Sequence, residues 1–214
     1  MNPCGLLEAS LGWCEGKTVL PGIRRRLYYT SKQNIVGWPA LTGAATGRAS
    51  AARLLRALGK DAGEDEVANS FVLRADTYWK YIDIIADKSS LTSEAQGEYP
   101  SQTQLNKLTA VHPGVDEAAT MAASYFNNND CVFVMQTTDG KYRVIGNDMW
   151  RGKITVAQDQ GQGATGTAST TINVEHTDLL PAPFYVGELA LGSEEVVDCS
   201  GGYMEQEMIS EIGQ

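Results

Sequence analysis

The stretch Asp159–Val174, DQGQGATGTASTTINV, decides how the second half of the chain folds. It follows the apolar run KITVA and carries Gly161, Gly163 and Gly166 in the order G-x-G-x-x-G. A dinucleotide-binding turn needs a helix directly after these glycines, with its N-terminus facing the pyrophosphate. The next residues, TASTTINVEH, are instead β-branched and lack a 3.6-residue apolar repeat, which favours a strand. The sequence therefore predicts a glycine loop between two strands in preference to a nucleotide site.

Strand patterns extend in both directions from this loop. The run CVFVMQTTDGKYRVIG at 131–146 predicts a hairpin that turns at Asp139–Gly140. Earlier in the chain, Tyr78–Ala86 and Gln104–His112 have the composition of strands, and the region around Pro21–Gly22 predicts one or two more. Later, APFYVGELAL is a further strand candidate. Most of the chain is therefore expected to be β-structure.

Two segments favour helices instead. VDEAATMAASYF at 115–126 places Asp116 and Glu117 in a first turn, ahead of apolar residues at i, i+3 and i+4 spacing. A shorter, alanine-rich helix is expected at Ala49–Leu58, inside an insertion at Leu41–Asn69.

This order of elements predicts a mainly β fold, a β-sandwich or partly open barrel with one flanking α-helix and a small helical insertion. At 214 residues we expect a single β domain over 1–192, with the insertion at about 41–69. Residues 193–214 are expected to form an acidic C-terminal extension.

The charge balance bears on possible partners. Asp and Glu number 26 against 17 Lys and Arg, a formal net charge of -9. Binding along a nucleic-acid backbone needs clustered cations, so this balance argues against it. The one basic cluster, Arg24, Arg25 and Arg26, is expected on the solvated face of a strand or in salt bridges across a subunit contact. Without a basic leader or a long apolar run, we expect synthesis in a cytoplasm and no membrane contact.

Signals for chemistry are weak. The cysteines and histidines, Cys4, Cys14, Cys131, Cys199, His112 and His176, lack the close pairing of zinc ligands. A hydrolase that used His112 or His176 as its general base would also need a nucleophile in a motif such as G-x-S-x-G, and that motif does not occur in the sequence. We therefore expect no enzyme activity, metal or cofactor.

The tryptophans leave one alternative open, because aromatic rings can form a sugar-binding platform. They are Trp13, Trp38, Trp79 and Trp150. Three of them adjoin apolar or aromatic runs, so burial in a core or an interface is favoured over a carbohydrate-binding sandwich.

The long polar loops of this chain are of a kind that suits contacts between subunits. A small β domain has to cover its sheet edges or pair them with another chain. The segment Asp87–Gln104, with Glu94 and Glu98, is expected to be a polar loop, and Asp159–Thr167 is the glycine loop.

The chain resembles the tail tube (major tail) proteins of tailed bacteriophages, of the type encoded by phages and prophages of Bacteroides-like bacteria. The segments LPGIRRRLYY, LTSEAQGEYPSQTQLNKLTAVHPGVDEAA and GQGATGTASTTINVEHTDLLPAPFYVG are similar to such proteins. The resemblance implies two packed antiparallel sheets, hexameric rings that stack into a tube with other tail proteins, and location in a virion. DNA would pass transiently through the acidic lumen without sticking.

The resemblance also assigns contact residues. Glu94 and Glu98 would lie between subunits or rings, and so would the glycines Gly161, Gly163 and Gly166 of the loop. Other virion rings, such as a head–tail connector or tail completion ring, and the tube of a contractile injection system are alternatives.

Overall fold

A computed structural model describes residues 15–16, 18–39 and 70–199. The expected helix at Ala49–Leu58, the rest of the insertion and residues 200–214 lie outside this described part. One α-helix is present in it, α1 (Glu117–Phe126). The strands are β1 (Ile23–Ser31), β2 (Ile35–Gly37), β3 (Val72–Leu73), β4 (Lys80–Asp83), β5 (Ser90–Gln96), β6 (Thr103–Pro113), β7 (Cys131–Thr137), β8 (Tyr142–Ile145), β9 (Lys153–Asp159), β10 (Ser169–Asp178), β11 (Phe184–Tyr185), β12 (Glu188–Ala190) and β13 (Val196–Asp198). Short 3-10 turns occupy Lys32–Asn34, Ala86–Lys88 and Gly163–Thr165.

Two antiparallel sheets form the main body. One has five strands in the order β11-β8-β7-β1-β4, and the other has four in the order β5-β6-β10-β9. Two smaller pairs, β2 with β3 and β12 with β13, complete the described strands. The expectation of a mainly β, sandwich-like fold with one flanking helix is confirmed, and the sheets do not close into a barrel.

Strand β7 lies at the centre and is buried on both faces. Cys131, Phe133 and Met135 point into a core shared with the four-stranded sheet. Val132 and Val134 point into a second core on the opposite side, which contains Trp79, Phe71, Tyr185 and Leu189. A strand buried on both faces is continuously apolar, which explains the run CVFVM. The fold therefore has a third, smaller layer beyond the two sheets.

Helix α1 begins as the sequence indicates. The Asp116 side chain accepts a hydrogen bond from the Ala119 backbone N–H at 2.7 Å, so Asp116 is the N-cap and Glu117 opens the first turn. Ala119 and Phe126 are buried, and the Phe126 ring lies 4.8 Å from that of Tyr29, centroid to centroid. The helix thereby packs against β9 and β10 and extends the first core.

One expectation was wrong. Asp87–Gln104 is not a loop throughout, because Ser90–Gln96 forms strand β5 and pairs with β6 over its whole length. Most β5 side chains are exposed, as suits a strand at a sheet edge. Backbone pairing to β6 holds this strand, so it needs none of the apolar alternation by which strands are recognised.

Other elements differ in extent. The strand expected at Tyr78–Ala86 is confined to Lys80–Asp83, because a 3-10 turn begins at Ala86. The APFYVGELAL segment divides into β11, which joins the five-stranded sheet, and β12, which pairs with β13. Strand β13 lies beyond residue 193, and the neighbouring Cys199 is fully buried in the second core. The described part of the expected C-terminal extension is thus packed on the domain.

We predict that Leu27→Ala destabilises the fold strongly. Leu27 has no exposed surface and lies in the first core. Truncation should lower the free energy of unfolding by about 2–5 kcal/mol through lost burial and a cavity. Urea unfolding measures this, with Leu20→Ala as the matched control because Leu20 is 52% exposed. Equal losses from both variants would contradict the placement of the core.

Candidate assembly interface

The outer face of the four-stranded sheet is mostly polar, and by register its apolar members are Leu105, Val111, Pro113 and Ala157. Along β10 buried and half-buried residues alternate, with Ile172, Val174 and His176 facing inward. The outward residues of this strand are Ser169, Thr171, Asn173, Glu175 and Thr177. Short hydroxyl and amide side chains of neighbouring strands lie side by side on this face, and Thr109 Oγ1 donates a hydrogen bond to Asn173 Oδ1 at 3.1 Å.

The lysines of this face are paired with carboxylates. Lys107 Nζ lies 2.8 Å from Glu94 Oε2, and Lys153 Nζ lies 3.5 Å from Glu175 Oε2. The hydrogen bond from Lys107 to Glu94 raises the pKa of the lysine. Exposed pairs of this kind contribute little to stability. Their effect is that the face offers a phosphate backbone no unpaired lysine from these four strands.

The same sheet has two edge strands. β5 pairs only with β6, and β9 pairs only with β10, among the strands that the structure describes. An edge strand presents backbone N–H and C=O groups that can pair with another chain. Counting from β5 to β9, the four strands alternate in direction, so the two edges run antiparallel to each other.

The two hairpins of the sheet turn at opposite ends. The β5–β6 hairpin closes beyond the pair Gln96↔Thr103, and the β9–β10 hairpin closes beyond Asp159↔Ser169. The register of β6 with β10 places Ser169 opposite Pro113, at the far end of β6 from Thr103. Glu98 therefore lies at one end of the sheet and the glycine loop at the other.

The glycine loop joins β9 to β10, which confirms that reading of the sequence. Gly161 and Gly163 have φ of +75° and +60°, a region that favours glycine. A Cβ on Gly166 would lie 2.3 Å from the Gln162 backbone nitrogen. The glycines are thus required for the loop to fold on itself, and their contact with a neighbouring subunit stays a prediction.

The arginines of β1 make contacts within the chain. Arg26 Nε lies 3.0 Å from Asp83 Oδ1, and its guanidinium lies 4.1 Å from the centroid of the Tyr81 ring. Arg24 donates to the Gln136 side chain at 3.3 Å, and Arg25 is exposed. These arginines thus reach solvent from a strand, as expected, and their role in a contact between subunits stays a prediction.

The structure shows a feature that sequence reasoning missed, a groove of about 350 Å³ between strand β4 and helix α1. We call it the helix groove. Its lining includes Tyr81, Ile82, His112, Ala118, Ala122 and Ile172. The available signal was the cluster of alanines in α1, whose small side chains leave this space open.

The candidates for chemistry are mostly buried. His176 is 1% exposed, and burial lowers its pKa, while burial raises the pKa of Cys131 to about 12. Trp79 is fully packed, and Trp38 contacts Phe71 beside it in the second core, which removes both from an open sugar platform. Across the described ranges, no group of metal-ligating side chains and no helix able to span a membrane occurs.

The geometry defines a class of protein, an open two-sheet β-sandwich with a flanking helix, in which the four-stranded sheet has a mostly polar outer face and two edges that pair with no other described strand. No family model matches the chain, and no curated protein or solved structure is significantly similar to it.

We predict that His176 makes folding sensitive to mild acid. Its Nδ1 lies 2.9 Å from the Thr177 carbonyl and so carries the proton, whereas the buried Nε2 has no partner among the described residues. Because burial holds the folded pKa below the ordinary value of 6.5, the unfolded chain binds the proton first. This part of the stability is complete above about pH 6.5 and is lost as the pH falls through that value towards the folded pKa.

Urea unfolding at pH 7.5 and pH 5.5 tests whether stability falls with pH in this way. The wild type should lose more stability between the two pH values than His176→Asn, which keeps a hydrogen-bond donor but does not titrate in this range. An equal loss in both proteins would contradict it.

Proposed function

We propose that this chain is the subunit of a phage-type tail tube, in which identical copies form rings and the rings stack. The observation that carries this proposal is the four-stranded sheet, whose two edges are paired with no other described strand and whose outer face is mostly polar, with its lysines paired to glutamates. The resemblance of short sequence segments to tail tube proteins prompted the same proposal.

Ring closure follows from the strand directions. When copies are related by rotation about an axis along the strands, β5 of one copy lies beside β9 of the next. Because the sheet has an even number of antiparallel strands, this pairing between copies is also antiparallel. The ring continues the hydrogen-bond ladder without a break, and closure removes every free edge of this sheet.

The lumen is the outer face of this sheet. Inward residues of the four strands supply the first core, so the opposite face is the one free to line a channel. Its lysines are paired, and the chain carries a net charge of -9. A wall that offers no free cation gives phosphate little to bind, which lets a DNA duplex move through without sticking. The chain acts as a structural part and performs no catalysis.

Electron microscopy of the purified protein tests the proposal. The images should show stacked rings, or single rings that stack as the protein concentration rises. Rings that never stack would point to a connector or completion ring, and a monomer at millimolar concentration would contradict assembly.

Two added arginines test which face lines the lumen. Thr171→Arg with Asn173→Arg places two cations per copy on the outer face, where β10 directs both side chains. Rings then carry a basic belt, and we expect their affinity for a short DNA duplex to rise at least about tenfold and to fall steeply with salt.

The matched control is Met121→Arg with Ser124→Arg, which adds the same charge on the exposed side of α1. Assembled particles should exclude or weakly bind the duplex in this control. If the control binds as well as the β10 variant, the lumen assignment is wrong.

A further inference from the structure

We infer that the Tyr99 side chain of one copy inserts into the helix groove of the next copy along the tube. This inference rests on the proposed tube, because the contact it describes is the axial one between rings. The contact would join Tyr99, which we call the knob, to the helix groove, which we call the hole, and a tube of stacked rings does not by itself require this pair.

The knob lies at the tip of the β5–β6 hairpin. Tyr99 is 89% exposed, more than any other large apolar side chain among the described residues. Its turn is ordered by the Ser101 backbone N–H, which donates to the Glu98 carbonyl at 2.8 Å, and by Gly97 at φ +81°. A large aromatic ring presented on a structured turn gains free energy when a partner covers it, since such a ring buries about 150–250 Å² on docking.

The hole is the helix groove. Alanine side chains of α1 form one wall, and strand β4, at the free edge of the five-stranded sheet, forms another. The groove volume of about 350 Å³ leaves room for one aromatic side chain. His112 and Asp83 also line the groove, so a tyrosine hydroxyl buried there has polar groups within the same cavity.

Knob and hole lie at opposite ends of one molecule. Tyr99 precedes Thr103 at the start of β6, and His112 is near the end of that strand. Nine residue steps along a strand span roughly 30 Å, so Tyr99 cannot reach the groove of its own chain. A Tyr99 side chain that fills the groove therefore belongs to a second copy of this chain.

This arrangement sets the geometry of assembly. A knob at one end that fits a hole at the other makes a heterologous contact, which repeats along the strand direction without closing. In the ring described above, the strands run along the axis. The contact therefore stacks all rings in the same direction. Every copy in a ring makes it, so the affinity between two rings is much higher than that of a single contact.

Photo-crosslinking tests the contact directly. A benzophenone amino acid at position 99 of the full chain should crosslink, in assembled protein, to peptides containing 80–83 or 112–123 of another copy. Mapping by mass spectrometry identifies the site. Crosslinks to other peptides, or only within a chain, would overturn the inference, and stacked rings in the same sample would show that the tube proposal stands.

Substitutions give a second measure. Tyr99→Ala and Ala118→Trp, which fills the groove from an exposed helix position, should each raise the concentration needed for stacking about tenfold or more. Their controls are Leu179→Ala and Met121→Trp, at exposed positions outside the groove lining. Stacking unchanged in both test variants would also overturn the inference. A wild type that never forms rings would overturn the inference and the tube together.

Discussion

The antiparallel register between β6 and β10 is the constraint on which the rest of the structure depends. Every residue of β10 is paired, from Ser169 opposite Pro113 to Asp178 opposite Gln104. A slip by one residue would turn Ile172 towards solvent and Thr171 into the core, so burial of the apolar face holds the register. The register in turn defines the polar outer face and places the two hairpin tips at opposite ends of the sheet.

Packing around this pair also explains how the inner layers are fixed. Asn106 on β6 is 1% exposed and both of its side-chain polar atoms are hydrogen-bonded, since its Oδ1 accepts from the Ala182 backbone N–H and its Nδ2 donates to the Leu180 carbonyl. A buried amide with satisfied hydrogen bonds specifies one arrangement more sharply than an apolar contact. It ties the segment after β10 to the four-stranded sheet and directs the chain towards β11, which pairs with β8 at one edge of the five-stranded sheet.

Local signals predicted the elements that depend on local chemistry. The Asp116 cap, the Asp139–Gly140 turn and the glycine loop were readable because each uses a residue type required by its backbone. Strand β5 was not readable, because its polar residues are held by pairing to β6 and show no alternation. The helix groove was missed because it forms between β4 and α1, which are far apart in sequence. Contact roles for Glu98 and the glycines need a second copy of the chain and stay predictions.

Amide hydrogen exchange of the edge strands is the most direct test of the central claim, that β5 of one copy pairs with β9 of the next. In the isolated subunit, alternate amides of residues 90–96 and 153–159 face solvent and should exchange fast. In assembled rings, both strands should gain strong protection together, while the already paired β6 and β10 change little. Edge amides that exchange as fast in the assembly as in the subunit would contradict the account.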